Sequence, residues 1–202
     1  GGGATAPRRG DPAAYDVDLD LGGGRRLTGT VAGVYGDRTV SVTYSKLAAK
    51  HFLQDWIALQ ALAAQHPDRS WSAMSIGRGG RSPISRRLFR PAPDPREVLG
   101  QLVAIYDAGR REPLPLPLAT SYAWAEARRD GDDPLWKTRY VWGGTYGDCT
   151  DKAVAKVWGP NAPLNRLLGT PRPGEEIDGE STRLGALAVR LWSPLLTAEG
   201  QP

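Results

Sequence analysis

Residues 27–64 read LTGTVAGVYGDRTVSVTYSKLAAKHFLQDWIALQALAA, and the spacing of apolar residues changes once within them. Up to Tyr44 the period is two. Leu27, Val31 and Tyr35 alternate with Thr28, Thr30 and Ala32, and Val40, Val42 and Tyr44 alternate with Thr39, Ser41 and Thr43. Alternation rich in β-branched residues marks strands, and Gly36-Asp37 between the two runs marks a turn. From Ser45, read as an N-cap, the period becomes helical: Leu53, Trp56, Ile57, Gln60, Ala61 and Ala64 recur on one face. Phe52, Leu59 and Leu62 widen that face, so the helix is expected to be buried on more than one side. Upstream of Leu27, Gly22-Gly23-Gly24 forms a loop. Before it Tyr15, Val17, Leu19 and Leu21 alternate with Asp16, Asp18 and Asp20. The expectation is a three-stranded antiparallel meander that runs into a helix. Residues 1–14, with glycine, proline and charge but no apolar period, read as a linker, and 15–202 as the folded domain.

Downstream the pattern is mostly helical. Residues 67–93 look irregular and arginine-rich. Asp94-Pro95-Arg96-Glu97 combines an N-cap, proline at the first helical position and an acid three residues on. It opens a helix whose expected core face is Val98, Leu99, Leu102, Val103 and Tyr106, and which Gly109 ends. Pro113-Leu114-Pro115-Leu116-Pro117 must run extended. Further helices are expected at about 121–129, 151–158 and 182–191, with Gly159-Pro160 stopping the second. Residues 159–179 read as a loop, and Trp192-Ser193-Pro194-Leu195-Leu196 follows the last helix. A small sheet followed by helices is an α/β or α+β layout.

Composition excludes several classes of function. The 202 residues have a mean hydropathy of −0.41 and no apolar run of membrane-spanning length, so no membrane partner is expected. Cys149 is the lone cysteine, which excludes a disulfide framework and a cysteine-rich zinc site and fits a reducing cytoplasm. His51 and His66 have no metal-ligand spacing, and Gly22-Gly23-Gly24 and Gly143-Gly144 lack the Lys-Ser/Thr of a phosphate loop, so no cofactor is implied. Met74 is the only methionine, which suits a domain taken from a longer chain. The net charge is +4, from 26 basic and 22 acidic residues, and permits an anionic partner without requiring one.

Two resemblances rest on these residues. The strand with Leu27-Thr28-Gly29-Thr30-Val31-Ala32, the strand ending Thr43-Tyr44-Ser45-Lys46, and the helix with Gln54 resemble the core of the restriction-endonuclease-like (PD-(D/E)XK) nucleases. In that fold, carboxylates on two neighbouring strands hold Mg²⁺ against the scissile phosphate and a lysine assists. Here the matching positions are Ala32, Tyr44 and Lys46, or Thr43 and Ser45 one register shorter, and neither alanine nor a neutral hydroxyl replaces a carboxylate ligand. The resemblance therefore implies a degenerate, non-cutting version of the fold.

The second resemblance covers about residues 15–196. Residues 27–64, Leu99-Gly100-Gln101-Leu102 with Tyr106 and Gly109, Pro113–Pro117 with Thr120-Ser121-Tyr122-Ala123, and Arg190–Leu196 follow the order of the C-terminal domain of the RecC family, the gamma subunits of exodeoxyribonuclease V (RecBCD). It implies a nuclease-like module without a metal site, placed in an ATP-dependent helicase–nuclease of double-strand-break repair and recombination. The partners it implies are RecB-type and RecD-type subunits and the DNA end or fork.

Candidate site residues follow. Residues 77–90 carry Arg78, Arg81, Arg86, Arg87 and Arg90 with no acid, and glycine-flanked guanidinium groups suit phosphate contact. The alternative is a solvated loop or a contact with a partner subunit. Asp16, Asp18 and Asp20 read as one solvated strand face, against the alternative of a rearranged metal-dependent nuclease site that uses them with Lys46. Trp71, Trp136 and Trp142 fall in less regular stretches where base stacking or a subunit interface competes with simple burial.

Overall fold

The computed structural model describes residues 11–80 and 82–200. They divide into two compact units. The first comprises 11–47, 51–101 and 198–200, and the second 48–50 and 102–197.

The first unit is built on a six-stranded sheet in sequence order, β1 to β6. The expected meander is present: β1 (Ala13–Gly22), β2 (Arg25–Tyr35) and β3 (Arg38–Lys46) pair antiparallel. β1 takes in Ala13 and Ala14, and the rest of the linker reading, residues 1–10, lies outside the described residues. Val17 and Leu19 are buried and pack with Ala61 and Ala64 of α1 (Ala49–Gln65) and with Leu99. Asp16, Asp18 and Asp20 are on the exposed side of the same strand, as alternation requires.

Past β3 the structure departs from the sequence reading. Ser45 is not an N-cap. β3 continues to Lys46, which pairs with Arg78, and the helix starts at Ala49. Residues 67–93 are not irregular either, because they hold β4 (Ser72–Arg78) and β5 (Ile84–Phe89). β3, α1 and β4 form a crossover, with β4 parallel to β3 and β5 antiparallel to β4, and β6 (Glu199–Gly200) closes the far edge against β5. β4 escaped pattern reading because it faces α1 with small residues rather than branched ones. Ser75 bonds to Asp55 of α1, and a Cβ on Gly77 would come within 2.9 Å of Leu47 and Thr43 side-chain carbons. β5 escaped because Ser85-Arg86-Arg87 carries the composition of a loop.

α2 (Pro95–Arg111) begins where expected, with Asp94 accepting from the Glu97 N–H at 3.0 Å. It runs past Gly109, and only Val98 and Leu99 of its expected core face are buried, while Tyr106 is exposed.

The second unit is helical. Pro113–Pro117 runs without helix or strand into α3 (Leu118–Asp130), which Gly131 ends in the left-handed region at φ 75°. α4 (Pro134–Gly143) was not anticipated. It gathers Trp136 and Trp142, both expected in irregular chain, burying Trp142 and leaving Trp136 73% exposed. Asp133 caps it through the Leu135 N–H at 2.9 Å. α5 (Lys152–Trp158) is capped by Asp151 and ends at Gly159, the stop read from sequence. α6 (Arg183–Thr197) continues through Pro194 instead of stopping near Leu191. Its buried face of Leu184, Leu187, Leu191, Trp192, Leu195 and Leu196 outweighs the one missing N–H, which falls in the last turn. Trp192 donates to Ser121 Oγ at 2.9 Å and meets the Tyr122 ring edge-on at 5.2 Å, tying α6 to α3.

Candidate nucleic-acid interface

β3, β4 and β5 together contain five basic residues (Arg38, Lys46, Arg78, Arg86 and Arg87) and no acidic one. The pleat sorts them onto two faces. Toward α1 point Thr39, Ser41 and Thr43 of β3, Ser75 and Gly77 of β4, and Arg87 and Phe89 of β5. Ser41 and Ser75 both donate to Asp55 Oδ2, so two hydroxyls of this face share one helix carboxylate. Arg87 is held on this side as well. Its guanidinium pairs with Glu199 of β6 and lies 5.7 Å over the Phe52 ring.

The opposite face carries Val40, Val42 and Tyr44, then Met74, Ile76 and Arg78, then Ile84, Arg86 and Leu88. Register places Val42, Ile76 and Arg86 in one row across the three strands, and sets Arg78 between Lys46 and Ile84 in the next, past an irregularity of β3 between Val42 and Lys46 that contains Tyr44. Leu88 is buried at one end, where β6 begins. The other end is open: Val42 is 69% exposed, Tyr44 95% and Ile84 54%, with Arg78, Arg86 and Lys46 exposed around them. The β4–β5 loop is closed by the Gly79 N–H donating to Pro83 O. A Cβ at Gly79 would sit 2.3 Å from Ser82 O, which is why glycine occupies this position.

The arginines expected to act as one basic loop are therefore divided. Arg78 and Arg86 share the open face, Arg87 is turned toward α1, and Arg90 is exposed beyond β5 with its backbone N–H bonded to Ala198 O at 2.9 Å. Arg81 lies outside the described residues. Ala32 and Tyr44, two of the positions matched to the nuclease motif, are not partners in the β2–β3 ladder. The β2–β3 ladder joins Val34 to Thr39 and Tyr35 to Arg38. Extending that register sets Ala32 across from Ser41, three residues short of Tyr44. Ala32, Tyr44, Lys46 and Gln54 are all exposed, and neither β2 nor β3 contains a carboxylate. The exposure of Val42 was not legible in the sequence, since apolar alternation signals a buried face, and Ile84 fell in residues read as irregular. The available signal was the polar set opposite them, Thr39, Ser41 and Thr43, of which Ser41 finds its partner in Asp55.

The acids of β1 make strand contacts. Asp18 takes Arg26 in a two-pronged pair at 2.5 Å, and this guanidinium holds its carboxyl below the ordinary aspartate range. Asp16 accepts from Thr30 Oγ1 at 2.8 Å, and Asp20 from the Gly22 N–H at 2.8 Å. Among the described residues no three His, Cys, Asp or Glu side chains gather into a group able to hold a metal ion. No helix among them is long and apolar enough to cross a membrane.

Comparison with known proteins places this architecture. The family model "RecC C-terminal domain" matches residues 3–129, more than half of the chain. The chain belongs to the RecC C-terminal domain family. It is 62% identical over 201 residues to the RecBCD enzyme subunit RecC of Mycobacterium tuberculosis (strain ATCC 25618 / H37Rv), an alignment covering 98% of this chain and 18% of that protein. It is 59% identical over 192 residues to the RecBCD enzyme subunit RecC of Mycolicibacterium smegmatis (strain ATCC 700084 / mc(2)155), covering 94% of this chain and 18% of the relative. The chain thus spans less than a fifth of the length of these RecC relatives. The basic sheet face lies within the part that the family model covers.

Proposed function

We propose that this chain is a non-catalytic, nuclease-like domain of a RecC-type subunit, which scaffolds and guides DNA at the fork during double-strand-break repair and recombination in the cytoplasm. Residues 15–202 form the domain on this reading, and RecB-type and RecD-type subunits are its protein partners. One observation carries the DNA assignment: three adjacent strands with five basic residues and no acid, whose open face presents Arg78 and Arg86. Guanidinium groups on strands that carry no acid neutralise phosphate without regard to sequence, as an element that tracks DNA must.

The non-catalytic part rests on chemistry. A two-strand nuclease centre needs carboxylates on neighbouring strands, and β2 and β3 supply none. Topology supports the degenerate-nuclease reading, since a meander followed by a β3–α1–β4 crossover puts Tyr44 and Lys46 at the end of a central strand. Incubating the chain with single- and double-stranded DNA and Mg²⁺ or Mn²⁺ tests it. No metal-dependent cleavage is expected. Cleavage that disappears in Asp18→Ala would instead establish a rearranged acidic site. Fork DNA binding is expected, weakened by Arg78→Ala and Arg86→Ala, and binding indifferent to both would favour a subunit-interface module.

A further inference from the structure

We infer that the open end of the β3–β4–β5 face is a stacking platform for unpaired DNA, with Tyr44 as the residue that distinguishes a single strand from a duplex. The inference rests on the DNA reading above and adds the class of nucleic acid. Tyr44 is the most exposed large hydrophobic residue of the face, at 95%, and stands on a central strand rather than in a loop. Its neighbours on β3 are Val42 and Lys46, with Arg78 on the adjacent strand β4 and Arg86 one strand further, on β5. The face thus alternates flat or apolar groups (Tyr44, Val42, Ile76, Ile84) with cations.

A nucleic-acid single strand has the matching composition. Its bases offer apolar π-faces, and its phosphates offer charge at every step. Aromatic side chains with flanking cations bind it with little sequence preference. A duplex keeps its base planes stacked inside and offers the same surface only phosphates and groove edges. Phosphate contact through Arg78 and Arg86 therefore serves both forms, while the Tyr44 ring has a partner only in the unpaired one. A protein partner would also cover Val42 and Ile84, but the absence of any acid on three consecutive strands favours a polyanion.

The experiment measures binding of the 202-residue chain to a labelled oligothymidylate of about 20 nucleotides and to a duplex of equal length, at low salt, for the unaltered protein, Tyr44→Ala and Tyr44→Phe. Loss of one base stack should weaken oligothymidylate binding about tenfold in Tyr44→Ala, while duplex binding changes less than about twofold and Tyr44→Phe keeps both. Tyr44 packs against little, so each variant should fold, as circular dichroism can verify. If Tyr44→Ala leaves oligothymidylate affinity unchanged, or lowers both affinities equally, the platform is refuted while DNA guidance survives. If neither DNA binds at low salt, both readings fall and the face is left to a protein partner.

Discussion

Arg69 joins three parts of the sheet unit. It donates to Asp37 Oδ1 at 2.7 Å, to Tyr15 OH at 2.5 Å and to Gly36 O at 3.0 Å, and its guanidinium lies 4.4 Å from the Trp71 ring centroid. Bonds to Tyr15 and Asp37 raise its pKa further. Arg69→Ala should lower Tm by a few degrees in thermal denaturation, and Arg69→Lys should not restore it, because an ammonium cannot make this fan of planar contacts. Asp55 acts similarly between β3, β4 and α1. Asp55→Ala leaves Ser41 and Ser75 without their acceptor and should cost about 1–3 kcal/mol in urea denaturation, with Asp55→Asn milder. The Asp94 cap could be read from sequence because its partner, the Glu97 N–H, is three positions away. Asp55 could not, since its serines lie 14 and 20 positions away.

Strands that alternate, and helices with one apolar stripe, announced themselves. β1, β2, β3 and the body of α1 follow the sequence reading. β4 did not, because close approach of α1, of β3 and of Leu47 in the β3–α1 connection selects for serine, alanine and glycine, which carry no period. Gly77→Ala should test this packing. The new methyl meets Leu47 and Thr43 carbons at 2.9 Å and should destabilise by about 1–3 kcal/mol, with Gly77→Val worse. α6 shows the converse, where a proline that locally signals an end is overridden by ten buried residues along the helix. The basic cluster of residues 77–90 was visible as composition, but its division between two sheet faces follows from strand register, which composition does not encode.

For the molecule as a whole, charge is organised differently in the two units. In the helical unit Arg183 is buried between acids. It donates to Glu175 at 2.8 and 2.7 Å and to Glu112 at 3.0 Å. The Arg183 guanidinium holds Glu175 below the ordinary glutamate range. Burial pushes Glu112 up, but Arg183 and Arg172 more than offset this. Carboxyls with lowered values contribute stability that is complete above the unfolded-state value near pH 4.3 and is lost as pH falls through the folded-state values. The chain should lose Tm on acidification in that window. Arg183→Met should be less stable at pH 7 and show a flatter acid limb. In the sheet unit, by contrast, Arg78 and Arg86 stand on an open face of strands without acids, and the functional account depends on that contrast.

The salt dependence of fork-DNA binding tests this account most directly, with the logarithm of the association constant measured against the logarithm of salt concentration for the unaltered chain and for the Arg78→Ala/Arg86→Ala double variant. Each phosphate contact contributes a slope of about −0.7 to −0.9. The double variant should bind more weakly and lose about 1.4 to 1.8 units of slope, as two contacts require. An identical slope and affinity in the two proteins would contradict it.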